Sequence, residues 1–133
     1  MPELPEVDSY RTGLAPTMTG WKISGGKVLW KNASNADFSS IINQKITRFD
    51  RRGKYLIINL DKSNIIIHLR MTGRIDLTKG ETPKHTTVEF EFYDGNKMCL
   101  VDYRKFGKVW IVKDVESVIA VSYTHLRAHE TRH

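Results

Sequence analysis

The chain begins MPELPEV, placing Pro2, Glu3 and Glu6 within its first six residues. Initiator methionine is commonly removed when the second residue is small, and proline qualifies. Removal would leave Pro2 as a secondary amine held in a ring. An α-amine titrates near pH 8, far below lysine, so a useful fraction is an uncharged nucleophile at neutral pH. Its attack on an aldehyde-like carbon gives an iminium ion that has no second N–H proton to lose. That ion stays cationic and draws electrons, which is covalent catalysis of the Schiff-base kind. Glu3 adjoins the amine and Glu6 lies one helical turn on. One carboxyl could protonate a leaving or ring oxygen and later take the proton back. The same residues also suit a plain helix start, with prolines in the first turn and acids against the positive helix end.

Three further stretches carry charge in patterns suited to a polyanion. In RRGKY, Arg51 to Tyr55, three cations flank Gly53, where the main chain can approach a phosphate closely. A solvated basic turn would read the same way. In HLRMTGR, His68 to Arg74, an apolar Met71 stands at a turn beside arginines. One use for such a side chain is a wedge between bases where a nucleotide has left the stack. The alternative is a core methionine at a strand end, with His68 satisfied in the core. In DYRKFGK, Asp102 to Lys108, Arg104 and Phe106 stand two apart in a loop before Gly107. On an extended loop that spacing puts both on one side, arginine to fill a base-pairing space and phenylalanine to stack. A basic turn with one anchoring aromatic is the plainer reading.

Composition sets the frame for these residues. A chain of 133 residues is long enough for one domain with a real core. With 40% hydrophobic and 27% charged residues it belongs with folded rather than disordered proteins. No apolar run is long enough to span a membrane, and the acidic N-terminus has no apolar signal-peptide region. The net charge of +6 favours an anionic partner such as nucleic acid. Cys99 is the single cysteine, which excludes an intrachain disulfide and a cysteine-built zinc site from this chain alone. A reducing, cytoplasmic setting is expected.

The elements that must position these residues follow from periodicity. Leu4, Val7, Tyr10 and Leu14 recur at helical spacing, predicting a helix from Pro5 to about Thr17, closed by Pro16 and Gly20. WKISGGKVLW reads as a strand broken at Gly25-Gly26, and DFSSIINQKI as a short helix capped by Asp37 with Phe38, Ile41 and Ile42 on one side. ITRFDRRGKYLIINL predicts two strands around Gly53, NIIIHLRM another, and KVWIV a last one. TTVEFEFYDGNKMCLVD predicts a hairpin with a type I′ turn at Asp94-Gly95. One helix, six or seven strands and a second helix make a mostly β (α+β) fold, a two-layer β-sandwich with helices at its edge.

The closing SYTHLRAHETRH fits neither period and resembles translated adapter or vector sequence. Residues 122–133 are expected to be a non-native or disordered tail following a domain of residues 1–121. Its His125, His129 and His133 have ligand-like spacing but no glutamate in the HExxH position, so no metal site is assigned.

The four stretches MPELPEV, RRGKYL, HLRMTG and DYRKFG, in this order, resemble the formamidopyrimidine-DNA glycosylases, bacterial repair enzymes that remove oxidised purines. The resemblance runs from Met1 to about Val115, and Leu4 favours this branch over endonuclease VIII. It implies a DNA glycosylase/AP lyase of base-excision repair whose N-terminal domain is a β-sandwich with flanking helices. By the same resemblance, Pro2 would be the Schiff-base nucleophile on C1′ and Glu3 the proton donor and acceptor. Glu6 would be a supporting acid, and Lys54 and His68 would hold phosphates around the lesion. Met71, Arg104 and Phe106 would fill the void left by the extruded base. The implied partner is double-stranded DNA containing oxidised purines or abasic sites, bound by a monomer. Family members continue into a helix–two-turn–helix domain and a four-cysteine zinc finger, which this sequence does not contain. The chain is therefore expected to be a catalytic domain with impaired activity. Two other classes are open: a noncatalytic basic β-domain that binds nucleic acid, and an N-terminal-proline tautomerase.

Overall fold

The computed structural model describes residues 4–120. Pro2, Glu3 and the tail 122–133 lie outside the described residues. Helix α1 (Leu4–Met18) is followed by β1 (Ile23–Val28), a 3-10 turn (Phe38–Ser40), β2 (Ile46–Arg52), β3 (Tyr55–Leu60) and β4 (Asn64–His68). Then come β5 (Arg74–Thr78), β6 (Thr86–Phe92), β7 (Lys97–Val101) and β8 (Lys108–Val112). Residues 116–120 are helical. The strands form two antiparallel sheets, ordered β1-β6-β7-β5 and β2-β3-β4-β8. Among the described residues no helix is long and apolar enough to cross a membrane.

The mostly β, two-layer sandwich expected from the sequence is the observed fold. Alternate residues of the central strands build its interior: Leu56, Ile58 and Leu60 of β3, Ile65 and Ile67 of β4, Val88, Phe90 and Phe92 of β6, Met98 and Leu100 of β7. Each fully buried side chain of this size stabilises the fold by about 1.5–3 kcal/mol. β3 and β4 read as continuous apolar runs because their outer face is also covered. Ile57 and Ile66 form a second cluster with Ile119, flanked by Val115 and Val118.

Helix α1 closes one side of the sandwich. It packs on β2 and β3 through a stripe of Val7, Tyr10, Leu14 and Met18. Tyr10 also reaches the other sheet, its hydroxyl accepting from the Ile75 N–H at 3.4 Å. Pro16 lies inside the last turn, so the helix runs past it to Met18.

Three local expectations change. The sequence carries no signal for β5, because RIDLT is short and follows a Thr-Gly turn. Gly25-Gly26 does not break β1; a register shift between Ile23 and Gly25 lets the strand continue. The β6–β7 turn is not type I′. The Gly95 N–H donates to the Phe92 carbonyl at 3.0 Å, and of Asp94 and Gly95 only the glycine has positive φ, +90°. Tyr93-Asp94-Gly95 is thus a three-residue loop ending in a left-handed glycine. The Asp37 cap is as expected, its carboxylate accepting from the Ser39 N–H at 3.0 Å, while Ile42 is exposed.

Gly26 lies under the Phe38 ring, and a Cβ there would clash with the ring and stand 2.8 Å from the Glu89 carbonyl oxygen. Gly26→Ala should cost about 1–3 kcal/mol. A lowered urea midpoint with unchanged slope would show it.

Candidate functional site

Three of the four stretches, RRGKYL, HLRMTG and DYRKFG, are joined at one end of the sandwich by a series of contacts, and α1 joins them through Asp8, just after MPELPEV. The first joins helix to hairpin. Asp8, in the second turn of α1, accepts from Arg11 at 2.7 Å and pairs with the Arg51 guanidinium at 3.4 Å. Arg11 holds the Asp8 carboxyl below the usual carboxylate range, with Arg51 adding to the effect. Arg51 also donates to the Gly53 carbonyl at 3.0 Å. Arg52 turns to Glu116 at 2.7 Å. Both arginines of RRGKY are therefore engaged within the fold. Arg52 pairs with Tyr55, so Gly53 and Lys54 form a two-residue hairpin loop. Gly53 has a φ of +58°, the conformation a II′ loop requires at its first position.

The second contact joins hairpin to the end of β4. Tyr55 and His68 are cross-strand partners whose rings meet edge to face, centroids 5.0 Å apart. His68 is half-buried, and its Nδ1 accepts from the Arg70 N–H at 3.1 Å. That bond accompanies a left-handed Arg70, φ +58°. Burial first, then the charges of Arg70 and Lys54, push the imidazole down to about 4. His68 is thus neutral at pH 7, and with Nδ1 accepting, its proton sits on Nε2. It is a hydrogen-bond donor without charge, placed among cations. The chain then buries Leu69 and exposes Met71, 55% accessible. The methionine does not belong to the core. Gly73 is needed to close this turn, since a Cβ there would stand 2.5 Å from the Leu69 carbonyl oxygen.

The third contact joins this turn to the DYRKFG loop. Thr72 Oγ1 donates to the carboxylate of Asp102, which is 1% exposed. The same carboxylate accepts from the N–H groups of Arg104 at 3.1 Å, Phe106 at 3.0 Å and Gly107 at 2.8 Å. The loop is not extended as expected: Lys105 has a φ of +62°. Arg104 and Phe106 still share a side, the guanidinium carbon 4.7 Å from the ring centroid. Phe106 is 47% exposed. Lys105 folds back over the Trp30 ring at 4.3 Å. Left-handed non-glycine residues cost energy and gather where a loop is held for a purpose. Arg70 and Lys105 both stand in the loops that carry the candidate side chains.

Lys54, His68, Met71, Arg104 and Phe106 are therefore carried by neighbouring loops at one end of the molecule. Glu6 is exposed in the first turn of α1, two residues before the Asp8 anchor. Residues missed from the sequence are the ones that tie the loops together: Asp8, Tyr55, Thr72 and Asp102. Asp102 carried a signal, because an aspartate opening a turn often accepts from the N–H two residues on. Cys99 is buried on β7 beside Glu89, and burial with that carboxylate pushes its thiol up to about 11. A lone inward cysteine does not fit the zinc finger of the resembled family. No group of three or more His, Cys, Asp or Glu side chains suited to a metal occurs among the described residues.

The fold is a two-sheet sandwich closed by α1, with basic loops and the exposed Met71 and Phe106 side chains clustered at one end. Residues 1–109 match the family model of the formamidopyrimidine-DNA glycosylase N-terminal domain. The chain belongs to that family. A formamidopyrimidine-DNA glycosylase of Latilactobacillus sakei is 39% identical over 85% of this chain and 43% of its own length. That of Pelotomaculum thermopropionicum is 40% identical over 84% and 44%. The chain thus spans just under half the length of these curated relatives. The Lactococcus lactis Fpg solved with abasic-site DNA superposes with a TM-score of 0.81 at 28% identity, covering 92% of this chain and 48% of that one. The same protein with Fapy-dG DNA gives 0.80 at 28%, covering 91% and 48%. A tautomerase, which opens with a strand at its proline, does not fit a chain whose helix begins at Leu4.

His68 should resist protonation. Its folded value of about 4 lies below the ordinary 6.5, so the unfolded chain takes up the proton first as pH falls. The stability linked to this group is whole above pH 6.5 and erodes toward pH 4. Imidazole nitrogen NMR should show a neutral Nε2–H tautomer at pH 5.5, and His68→Gln should flatten this part of the acid unfolding curve.

Proposed function

We propose that this chain is the catalytic domain of a DNA glycosylase/AP lyase of base-excision repair, acting on duplexes with oxidised purines or abasic sites. The observation that carries this reading is the convergence of RRGKYL, HLRMTG and DYRKFG with helix α1, which follows directly on Pro2 and Glu3 in sequence, through Asp8–Arg51, Tyr55–His68 and Thr72–Asp102. Family membership supports it, as do the related structures, whose bound DNA holds an abasic site, Fapy-dG or an oxidised pyrimidine.

In this reading the Pro2 nitrogen, free after loss of Met1, attacks C1′ of the damaged nucleotide. The glycosidic bond breaks and its electron pair leaves with the base, which takes up a proton. Glu3 donates and later recovers protons as the sugar ring opens to the iminium, with Glu6 as a supporting acid. The cationic iminium lowers the barrier to removing a C2′ proton, and the 3′ phosphate then leaves by elimination. Lys54 supplies charge and His68 a neutral N–H to backbone phosphates. A neutral donor costs less to bury beneath the duplex than a second cation. Met71, Arg104 and Phe106 occupy the space vacated by the extruded nucleotide. The protein works as a cytoplasmic monomer.

Borohydride reduction on abasic-site DNA should trap a covalent protein–DNA adduct. Retention of Met1, which displaces the amine by one residue, should abolish it, while Pro2→Gly, whose terminal primary amine can still form an imine, should reduce it. Salt-sensitive DNA binding with no adduct would instead mark a noncatalytic binding domain. Lys54→Ala should weaken binding to damaged and intact duplex alike and reduce the salt slope by about 1.

A further inference from the structure

Asp102 stands behind the side chains assigned to the duplex void and touches none of the reacting atoms. Its carboxylate receives four donors, one from Thr72 and three from the backbone of Arg104, Phe106 and Gly107. Its main chain is held on both sides as well. The Asp102 N–H donates to the His85 carbonyl at 3.0 Å, and its own carbonyl accepts from Lys105 at 3.1 Å. Gly107 fits tightly, since a Cβ there would stand 3.3 Å from Asp102 Oδ2 and 3.4 Å from the His68 carbonyl oxygen.

Each oxygen has its own task. Oδ1 takes the Thr72 hydroxyl and the Arg104 N–H, while Oδ2 takes the Phe106 and Gly107 N–H groups. A carboxylate is acceptor-only, with lone pairs enough for all four. An asparagine of the same shape would turn an N–H₂ group toward N–H donors on one side. The residue next to Thr72 is Met71, and the residues held by the carboxylate are Arg104 and Phe106. One buried group therefore sets both wedge-bearing loops.

We infer that Asp102 and Thr72 form a latch that couples these loops, so that Met71 and the Arg104–Phe106 pair enter the duplex as one preformed unit. The latch makes Asp102 and Thr72 positioning residues for recognition of a site that has lost its base. A preorganised wedge avoids the ordering cost of two loops at the moment of binding. This inference rests on the proposed function for its DNA part, while the coupling of the loops stands on the structure.

The test uses this chain with Thr72→Val, Thr72→Ser and Asp102→Asn. Backbone amide exchange at Arg104, Phe106 and Gly107 should rise about tenfold in Thr72→Val, further in Asp102→Asn, and return in Thr72→Ser, which restores the hydroxyl. Preference for a duplex with a tetrahydrofuran abasic analogue over intact duplex should fall about tenfold in Thr72→Val, with affinity for intact duplex moving less than about twofold. If Asp102→Asn fails to fold, the threonine pair decides the matter alone. Unchanged exchange in Thr72→Val would overturn the latch. Raised exchange with the preference intact, or equal loss on both duplexes, would reduce the pair to fold stability and overturn the inference. A parent chain with no preference between duplexes would overturn the functional reading, while the exchange data would still decide the coupling.

Discussion

The two sheets share one apolar interior, and on the side between β2 and β5 that interior is closed by a helix rather than by a strand. α1 meets this demand with a narrow stripe on one sheet and a tyrosine hydroxyl bonded to the other. The consequence reaches the chemistry. The helix that seals the core is the one that carries the start of the chain, and the Asp8–Arg51 pair sets its first half against the β2–β3 hairpin. Such an exposed pair adds little stability by itself. Its effect is to fix where the helix begins relative to the basic loop.

Buried acids do a similar job in loops that lack regular hydrogen bonding. Asp102 ties down residues 103–107, and Glu89 on β6 receives the Thr82 hydroxyl and lies 3.7 Å from the Lys97 ammonium group. A buried carboxylate without donors would be costly, and here each has several. Loops held this way can keep left-handed residues such as His85 and Lys105 while presenting other side chains to solvent.

Much of the fold was legible. Helical spacing from Leu4 to Leu14 and the alternation of Val88, Phe90 and Phe92 are local signals that produced the helix and strand expected, while the Asp37 cap opened only a three-residue 3-10 turn in place of the short helix. RIDLT was not legible because five residues with two apolar positions carry too little period, and its pairing with β7 is set by the rest of the sheet. The Asp94-Gly95 turn was misread because one left-handed glycine serves two turn types, and loop length decides between them. The site was readable as residue types in order: charge, glycine and an odd exposed methionine. The links among them were not, because Asp8 meets Arg51 and Thr72 meets Asp102 across 43 and 30 positions of sequence. No local pattern records such a meeting. The engagement of Arg51 and Arg52 inside the fold also had no local sign.

The outer cluster beneath Ile119 bears on where this unit can be cut. The family match ends at residue 109, yet Ile57 and Ile66 depend on Val115, Val118 and Ile119 for cover. An excision at the end of β8 would wet the back of the central strands, whose apolar runs would then offer a sticky surface to other chains. A boundary drawn for handling this domain therefore belongs beyond Ile119, past the end of the family match.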